Sequence, residues 1–543
     1  MSTNISKEKR ENLIGKIKAI REYIAAAPQD ENTGNLLTYL SEIEKDIKGK
    51  KYGLVFEEHR ESIDEILATH TPVLSEDTEL FIDKDGQMNF LIEGDNLASL
   101  QLLQKTHKSK IDFIYIDPPY NTGNKDFIYD DKFVDSTDTF KHSKWLSFMK
   151  KRLELAIKLL SPCGLIFISI DDREYSQIKS LCDQIFNESN FVANLIWKSK
   201  SGGANDASSF GIDHEYILCF AKNISEINIQ NDKGIVVTTC YNKTDADGRK
   251  YSLDRLDKQS LGYQSTLDFP IIGPDGKQYV VEHKDPNNKK ARWRWGKETV
   301  EERYDELVFI YPYVYTKNYE KTDGQKPRSI LFDERFGRTR TGSTDLKKII
   351  GNQNIFNYPK PTALIKFLAE IATSYNSTIL DFFAGSGTTG HAVMKLNAED
   401  GGNRKFILCT NNENAICRDI TYERIKRVIE KEGYSTSLKY YKVDYVPISD
   451  KLYYEYADEL LKHIRELVEL ENGVNFKGNN EIAILLTEDE VNAFVSDEDK
   501  LKVCKKVYIG HDVLLDGNQE YILEQNKIEL NIIPEYYYKE LEA

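Results

Sequence analysis

The sequence predicts an α/β protein built on a doubly wound, Rossmann-like sheet, and three observations predict it. Apolar runs alternate with helix-patterned segments over about residues 76–223. The alternation stops over about 224–345, and it resumes over 346–440 around a glycine-rich turn. Runs without polar alternation are what strands buried on both faces look like, and strand–helix alternation implies a mostly parallel sheet. A helical N-terminal region (1–75) precedes this core and an acidic α+β C-terminal region (441–543) follows it.

In the first region Leu13, Ile17, Ile20, Tyr23 and Ile24 fall near helical spacing, and Leu37, Tyr39, Leu40, Ile43 and Ile47 repeat it. This reads as a helical cap or a dimer element. Asn89 to Glu93 then forms a strand that exits through Gly94-Asp95 into a helix with Leu97, Leu100 and Leu103. Asp95 sits at its carboxyl edge.

The next strand, Ile111 to Ile116, runs into Asp117-Pro118-Pro119-Tyr120. Two prolines end the strand and stiffen the backbone, because proline locks φ and lacks an N–H. A carboxylate and a flat ring are thus held on a rigid corner, where open α/β sheets bind ligands. Such a corner suits a planar group carrying an exocyclic amine. A helix follows, with Trp145, Leu146, Phe148, Met149, Leu153, Leu155 and Leu160 on its apolar face. Ser161-Pro162-Cys163-Gly164 is expected to break it as a turn before the strand Leu165 to Ile170. Cys163 is read as a turn residue, not a nucleophile. Strands at Phe191 to Trp197 and Tyr216 to Phe220 complete this half, with a glycine-rich loop, Ser201-Gly202-Gly203-Ala204, between them.

Residues 224–345 are rich in Tyr, Trp, Arg, Lys, Gly and Pro and show little periodicity, which marks an insertion. It holds a basic run, Lys284, Lys289, Lys290, Arg292, Arg294 and Lys297, interleaved with Trp293 and Trp295, and a second cluster, Arg328, Arg335, Arg338 and Arg340. These are the candidate phosphate and base contacts. Pro361 to Thr373 is a helical pattern leading to the strand that ends at Asp381. Phe382-Phe383-Ala384-Gly385-Ser386-Gly387-Thr388-Thr389-Gly390 follows. Glycines allow close backbone approach and the next helix offers free N–H groups. The turn is no phosphate loop, since Gly390 is followed by His391 and not Lys-Ser/Thr. Gly385, Gly387 and Gly390 do fit G-x-G-x-x-G, so a nicotinamide or flavin site is the rival. Phe406 to Thr410 is a further strand, with Glu413 just past its end.

The bulk numbers bound the reading. The 543 residues allow two to four domains, and 40% hydrophobic with 30% charged is ordinary for a globular protein. No apolar stretch is long enough for a membrane helix and no signal peptide is evident, so no membrane is expected. Seven scattered cysteines without a C-x-x-C pair point to a reducing cytoplasm and away from a structural zinc. The net charge of -15 opposes nucleic-acid binding, but acids outnumber bases by more than two to one from about Asp444 onward, leaving the middle near balance.

With Asp-Phe-Phe-Ala before it and Asp-Pro-Pro-Tyr upstream, the glycine turn resembles the S-adenosylmethionine turn of amino-group DNA methyltransferases. Methylating an exocyclic amine requires the base to leave the duplex and the amine to be held in line with a methyl sulfonium. Asp117 can accept one amine hydrogen bond and the Pro118 carbonyl the other, freeing the lone pair, while Tyr120 stacks on the extruded base. Glu413 stands where a ribose acid is expected, Asp381 is placed to face the ammonium of the cofactor, and Asp95 to meet its adenine amine.

The order, Asp-Pro-Pro-Tyr, then an insertion, then the glycine turn, resembles the circularly permuted beta class of adenine-N6 DNA methyltransferases. Asp117 to Gly123 with Asp126 to Tyr129, Trp197 to Asp206 with His214-Glu215-Tyr216, and Trp293 to Glu298 resemble modification subunits of type III restriction-modification systems. Tyr358-Pro359-Lys360-Pro361-Thr362 matches the motif that in that family lies along the methionine part of the cofactor. The resemblance implies S-adenosylmethionine, duplex DNA with a flipped adenine, a homodimer and a separate restriction subunit with helicase and nuclease parts. It makes 224–345 a target-recognition domain. The competing readings are a DNA-recognition subunit without catalysis, methylation of cytosine N4, and methylation of a glutamine amide. Cytosine enzymes more often begin the motif with Ser, and glutamine enzymes with Asn and an upstream turn. Asp117 with a downstream turn favours adenine.

Overall fold

Apolar runs too continuous for a solvent-facing sheet form the centre of a ten-stranded sheet in the computed structural model of the chain. The structure describes residues 5–26, 31–48, 54–123, 128–129, 132–133, 137–202, 210–235, 241–285, 287–320, 324–351, 356–448, 459–510 and 512–533. Asp126-Phe127 and Gly203 to Asp206 lie outside them. The chain divides into two compact units, Met1–Asn228 with Ser329–Ala543, and Ile229–Arg328.

In the larger unit the strands are β1 (His70–Glu76), β2 (Gln87–Glu93), β3 (Ile111–Ile116), β4 (Leu160–Ile170), β5 (Phe191–Lys198), β6 (His214–Ala221), β7 (Ile330–Leu331), β8 (Thr378–Asp381), β9 (Lys405–Thr410) and β10 (Thr436–Pro447). They lie side by side as β1-β10-β2-β9-β8-β3-β4-β6-β5-β7. The run from β10 to β4 is parallel throughout. β6 runs antiparallel to both β4 and β5, and β1 antiparallel to β10. Strand order reverses between β3 and β8: β4 extends the sheet one way and β9 the other. In such sheets the crevice outside the carboxyl ends at the reversal is the ligand site.

Helices on the sheet are held by their apolar stripes. On Lys141–Leu159, Trp145, Met149 and Leu153 recur every four residues and are fully buried, each worth roughly 1.5–3 kcal/mol. Ser161 to Gly164 is not the expected turn. β4 already begins at Leu160, and a bulge moves its pairing from Ile111–Leu160 to Phe113–Leu165. Gly164 permits this, because a Cβ there would lie 2.8 Å from the Ile111 carbonyl. Cys163 is exposed.

The expected boundary at 440/441 falls inside β10. Leu460, Ile464, Leu467 and Leu470 beyond it join the same core as β2 and β3. The buried Lys439 of β10 pairs with buried Glu469, which also accepts from the Tyr441 hydroxyl at 2.9 Å. The acidic tail is therefore not separable there. Its outer part is a small parallel sheet, Ile482–Leu485, Lys506–Gly510 and Glu529–Ile533.

The insertion's compact part, Ile229–Arg328, is narrower than the expected 224–345 because Ile330–Leu331 pairs with β5. It contains an antiparallel sheet ordered Leu307–Ile310, Tyr313–Tyr319, Lys250–Arg255, Lys243–Thr244. Leu256, Tyr279, Val281, Trp293 and Val314 form its own core. The first region is helical as expected, with helices Ile5–Ala26 and Glu31–Lys48, although β1 starts at His70.

Candidate active site

The corner after β3 is tied at both ends. The indole N–H of the fully buried Trp145 donates to the Pro119 carbonyl at 2.7 Å. Asn121, the next residue after Tyr120, holds a left-handed φ of 55°. Its amide donates at 2.6 Å to the buried Glu174 carboxylate, which also lies 2.6 Å from His142 Nδ1. Burial raises the Glu174 pKa.

Between these ties Asp117, Tyr120, Glu215 and Lys360 form one polar cluster. Lys360 Nζ lies 2.7 and 2.8 Å from the two Asp117 oxygens, 2.9 Å from the Tyr120 hydroxyl and 3.4 Å from Glu215 Oε2. The Tyr120 hydroxyl is 3.0 Å from both Asp117 Oδ1 and Glu215 Oε2. Burial raises the Asp117 pKa; Lys360 opposes the shift and Glu215 adds to it. Lys360 stays charged: burial opposes its charge, but Asp117 and Glu215 together lift its pKa above the ordinary value. Burial, then the two carboxylates, also push the Tyr120 phenol well up, so it remains a donor. Lys360 was expected on the cofactor. The structure sets its ammonium on Asp117, because the backbone before helix Thr362–Ala372 runs beside the corner. Glu215 stands at the start of β6. Since β6 is antiparallel to β4, that start shares the edge where β3 ends.

Across the reversal point, β8 ends at Asp381, which is almost wholly buried. Its carboxylate accepts from the Thr389 hydroxyl and, at 3.0 Å, from the Phe383 N–H. Ala384 donates to the Cys409 carbonyl of β9 at 3.2 Å. Gly385 and Gly387 take φ values of 47° and 72°, and a Cβ on Gly385 would lie 2.9 Å from the Phe356 ring. Gly387 caps helix Thr388–Asp400, whose first N–H groups need partners from outside the helix. Behind the turn lies Arg424, fully buried. It donates to the Ser386 carbonyl and hydroxyl at 3.2 and 3.1 Å, and to the hydroxyls of Thr388 and Thr362 at 2.7 and 3.0 Å.

Burial raises the Asp381 pKa to about 7, from an ordinary 3.8. The folded chain thus keeps a proton that the unfolded chain has released above pH 3.8. Stability from this group is complete below that value and is lost as pH rises through 7. In urea unfolding followed from acid to neutral pH, Asp381→Asn is expected to remove a slope of up to about 1.4 kcal/mol per pH unit. An unchanged slope would show that Asp381 ionises normally.

Asp95 caps helix Asn96–Thr106, accepting from the Leu97 N–H at 2.7 Å, and its side chain is 34% exposed. Asn96 beside it donates to the Phe382 carbonyl at 3.0 Å, tying this loop to the glycine turn. Glu413 is exposed just past β9. Because β2, β9, β8 and β3 are consecutive, Asp95, Glu413, Asp381 and Asp117 line up along one carboxyl edge.

The basic candidates fare unevenly. Lys284, Lys289, Lys290 and Lys297 are exposed; Lys289 pairs with Asp268 at 2.7 Å. Arg292 and Arg294 are half-buried, the second paired with Asp254 at 3.1 Å. Trp293 is core, its indole bonded to the Phe269 carbonyl at 2.7 Å, so it presents no ring for stacking. Arg328, Arg335 and Arg340 are exposed, the first in the smaller unit and the others in the larger. Arg338 is a correction: it is buried and its guanidinium donates to the carbonyls of Phe332, Asp333 and Gly337, a structural tie.

Comparison with known proteins agrees with this geometry. The model of the N6_N4_Mtase family, described as DNA methylase, matches residues 111–430. The chain is 34% identical to the Mod subunit of the type III restriction-modification enzyme StyLTI of Salmonella typhimurium, over 63% of this chain and 57% of that one. It is 36% identical to the type II methyltransferase M.KpnI of Klebsiella pneumoniae, over 62% of this chain and 84% of that one. It is 32% identical to the EcoPI Mod subunit of Escherichia phage P1, over 64% of this chain and 63% of that one. The chain thus spans less than two thirds of the length of each of these type III relatives. The family match covers more than half of the sequence and contains both the Asp117 corner and the glycine turn, and the chain belongs to the N6_N4_Mtase family of DNA methylases.

Proposed function

We propose that this chain methylates N6 of a flipped-out adenine in duplex DNA with S-adenosylmethionine, as the modification subunit of a type III restriction-modification system. The observation that carries the reading is the adjacency of β3 and β8, which sets the Asp117 carboxylate beside the glycine turn. Bound there, the cofactor supplies an electrophilic methyl sulfonium.

The donor set fits that group. Glu413 is assigned the ribose hydroxyls, Asp381 the ammonium, Asp95 the adenine amine, and Phe382, Ala384 to Thr389 and Pro361 the walls. A side chain at Gly385 would fill the cradle by striking Phe356. Asp117 and the Pro118 carbonyl each accept a hydrogen bond from one N–H of the target amine and direct its lone pair to the methyl group. The Pro119 carbonyl, engaged by Trp145, fixes the peptide that follows them. Tyr120 offers its ring to the base, worth about 1–3 kcal/mol. The exposed lysines and arginines of 284–340 are assigned to phosphate contact, where counterion release gives salt-dependent affinity.

The family description, DNA methylase, supports DNA as the substrate, and the relatives' names, Mod subunits of type III restriction-modification enzymes, support a separate restriction subunit as partner. Exposed Leu13, Ile20, Tyr23 and Tyr39 on the N-terminal helices support a homodimer. No described helix is long and apolar enough to cross a membrane.

The test is transfer from tritiated S-adenosylmethionine to mixed-sequence duplex DNA, single-stranded DNA or bulk protein, followed by nucleoside analysis. Label in N6-methyladenine from the duplex is expected; label in N4-methylcytosine or in protein would overturn the reading.

Gly342→Ala bears on the same site. A Cβ there would lie 2.0 Å from the Pro359 carbonyl and 2.8 Å from the Lys360 carbonyl carbon. The strand of chain carrying Lys360 must shift, at a cost of about 1–3 kcal/mol. Urea unfolding should show this loss, and the transfer rate should fall with it.

A further inference from the structure

We propose that Lys360 is a tethered stand-in for the target amine, and that Glu215 is the positioning residue that receives its ammonium when the amine enters. The inference rests on the reading of Asp117 as the amine acceptor. It concerns how that acceptor is kept ready before the base arrives.

A buried carboxylate built to accept an amine N–H is costly to leave unpaired. Here both oxygens are already engaged by one N–H donor group, Lys360 Nζ, at 2.7 and 2.8 Å. Lys360 is 8% exposed, so its ammonium cannot be left to solvent and must keep a carboxylate partner. Glu215 is that second partner, with Oε2 already 3.4 Å from Nζ and its side chain 17% exposed. A shift of under an ångström brings full hydrogen-bond contact.

The Tyr120 hydroxyl stands between the two carboxylates at 3.0 Å from each, yet it has one proton to give. While Lys360 sits on Asp117, Tyr120 can donate to Glu215. When Lys360 moves to Glu215, Tyr120 can donate to Asp117. The cluster therefore has two arrangements with every charge partnered, one closed on itself and one open to an amine. Two carboxylates and one ammonium leave one negative charge in excess, and in the open arrangement it rests on Asp117, where positive charge develops on the amine. Tyr115 and Asp381 also face Asp117, and Asp171 faces Glu215, but none of the three hydrogen-bonds Lys360.

Glu215→Gln then pins Lys360 on Asp117 and harms catalysis through the lysine, not by itself. The experiment is a double-mutant cycle on the full chain with Glu215→Gln, Lys360→Met and both. Single-turnover methyl transfer to duplex DNA and the KM for DNA are measured at alkaline pH, so that Asp117 stays ionised without the lysine. Glu215→Gln is expected to slow transfer about 30-fold, roughly 2 kcal/mol, and to raise KM. The double variant is expected to be at least about tenfold faster than Glu215→Gln alone. Glu215→Asp should restore most of the rate. Cofactor binding and thermal melting report folding, and Glu215→Ala with Lys360→Ala provides a second cycle if the first pair does not fold. A double variant as slow as Glu215→Gln, or slower, would overturn the proposal while wild-type transfer leaves the adenine reading standing. A wild-type protein that moves no methyl to DNA would remove both.

Discussion

Asp117→Ala is expected to lower methyl transfer by about 10³-fold, because a pre-placed group that meets developing charge is typically worth 10²–10³ in rate. The amine gains positive charge as the methyl group arrives, and Asp117 is the acceptor at that point. The variant should still fold, since the corner is held from outside the carboxylate by Trp145 on Pro119 and by Glu174 on Asn121. It should bind S-adenosylmethionine within about threefold of wild type, a difference of under 1 kcal/mol. Asp117→Asn is more telling, because it keeps the shape but offers only one acceptor oxygen, and its amide opposes Lys360 as a donor. Single-turnover assays with calorimetry of the cofactor separate the two effects. Equal loss of transfer and cofactor affinity would mean that Asp117 belongs to the cofactor site.

The second large effect is expected at Arg424. Its guanidinium reaches Ser386, Thr388 and Thr362 from a fully buried position, so it joins the glycine turn to the helix that follows Lys360 and Pro361. Burial lowers its pKa to about 10, which still leaves it charged at neutral pH. Arg424→Met strips the Ser386 carbonyl of its donor at a cost of about 1–3 kcal/mol, partly offset because no buried charge remains. The turn loses its template, and cofactor affinity is expected to fall about 10–100-fold. Arg424→Lys should recover little, because an ammonium cannot span acceptors on three residues in a fixed plane. Calorimetric titration with S-adenosylmethionine and urea unfolding measure the two losses. Unchanged affinity would show that the turn holds its shape alone.

The parts of the site legible in the sequence are those that need a special residue type. Pro118 and Pro119 announce a rigid strand exit, and Gly385 and Gly387 announce a turn with positive φ. Both signals are local. Glu215, Arg424 and Trp145 depend on packing that no local pattern carries. Glu215 joins the Asp117 cluster only because β6 reverses direction, and in the sequence it stands out only within His214-Glu215-Tyr216, as part of the family resemblance. Arg424 lies on an amphipathic helix where an arginine is expected to face solvent. Lys360 was legible as a site residue but its contact with Asp117 was not, since the approach of Gly342 to Pro359 that sets its course is a tertiary contact. The row of four acids was visible as four strand ends, but their adjacency follows from strand order.

The tail and the insertion were harder for a different reason. Acidic runs such as Glu488-Asp489-Glu490 mark helix starts in the outer sheet. The residues that fasten the tail, Lys439 and Glu469, are charged and read as surface until paired. In the insertion several strands are two residues long, too short to show a period, and Trp293 looked like a binding aromatic because its burial depends on Leu256 and Val281.

The atom that is methylated, and whether Asp117 is needed to methylate it, decide the function most directly. Expression of the wild-type chain and of Asp117→Ala in a bacterial host lacking its own DNA methylation, followed by single-molecule sequencing of genomic DNA, reads both at once. The account predicts N6-methyladenine at one recurrent sequence context with the wild-type chain and none with the variant. N4-methylcytosine, or adenine methylation that survives loss of Asp117, would contradict it.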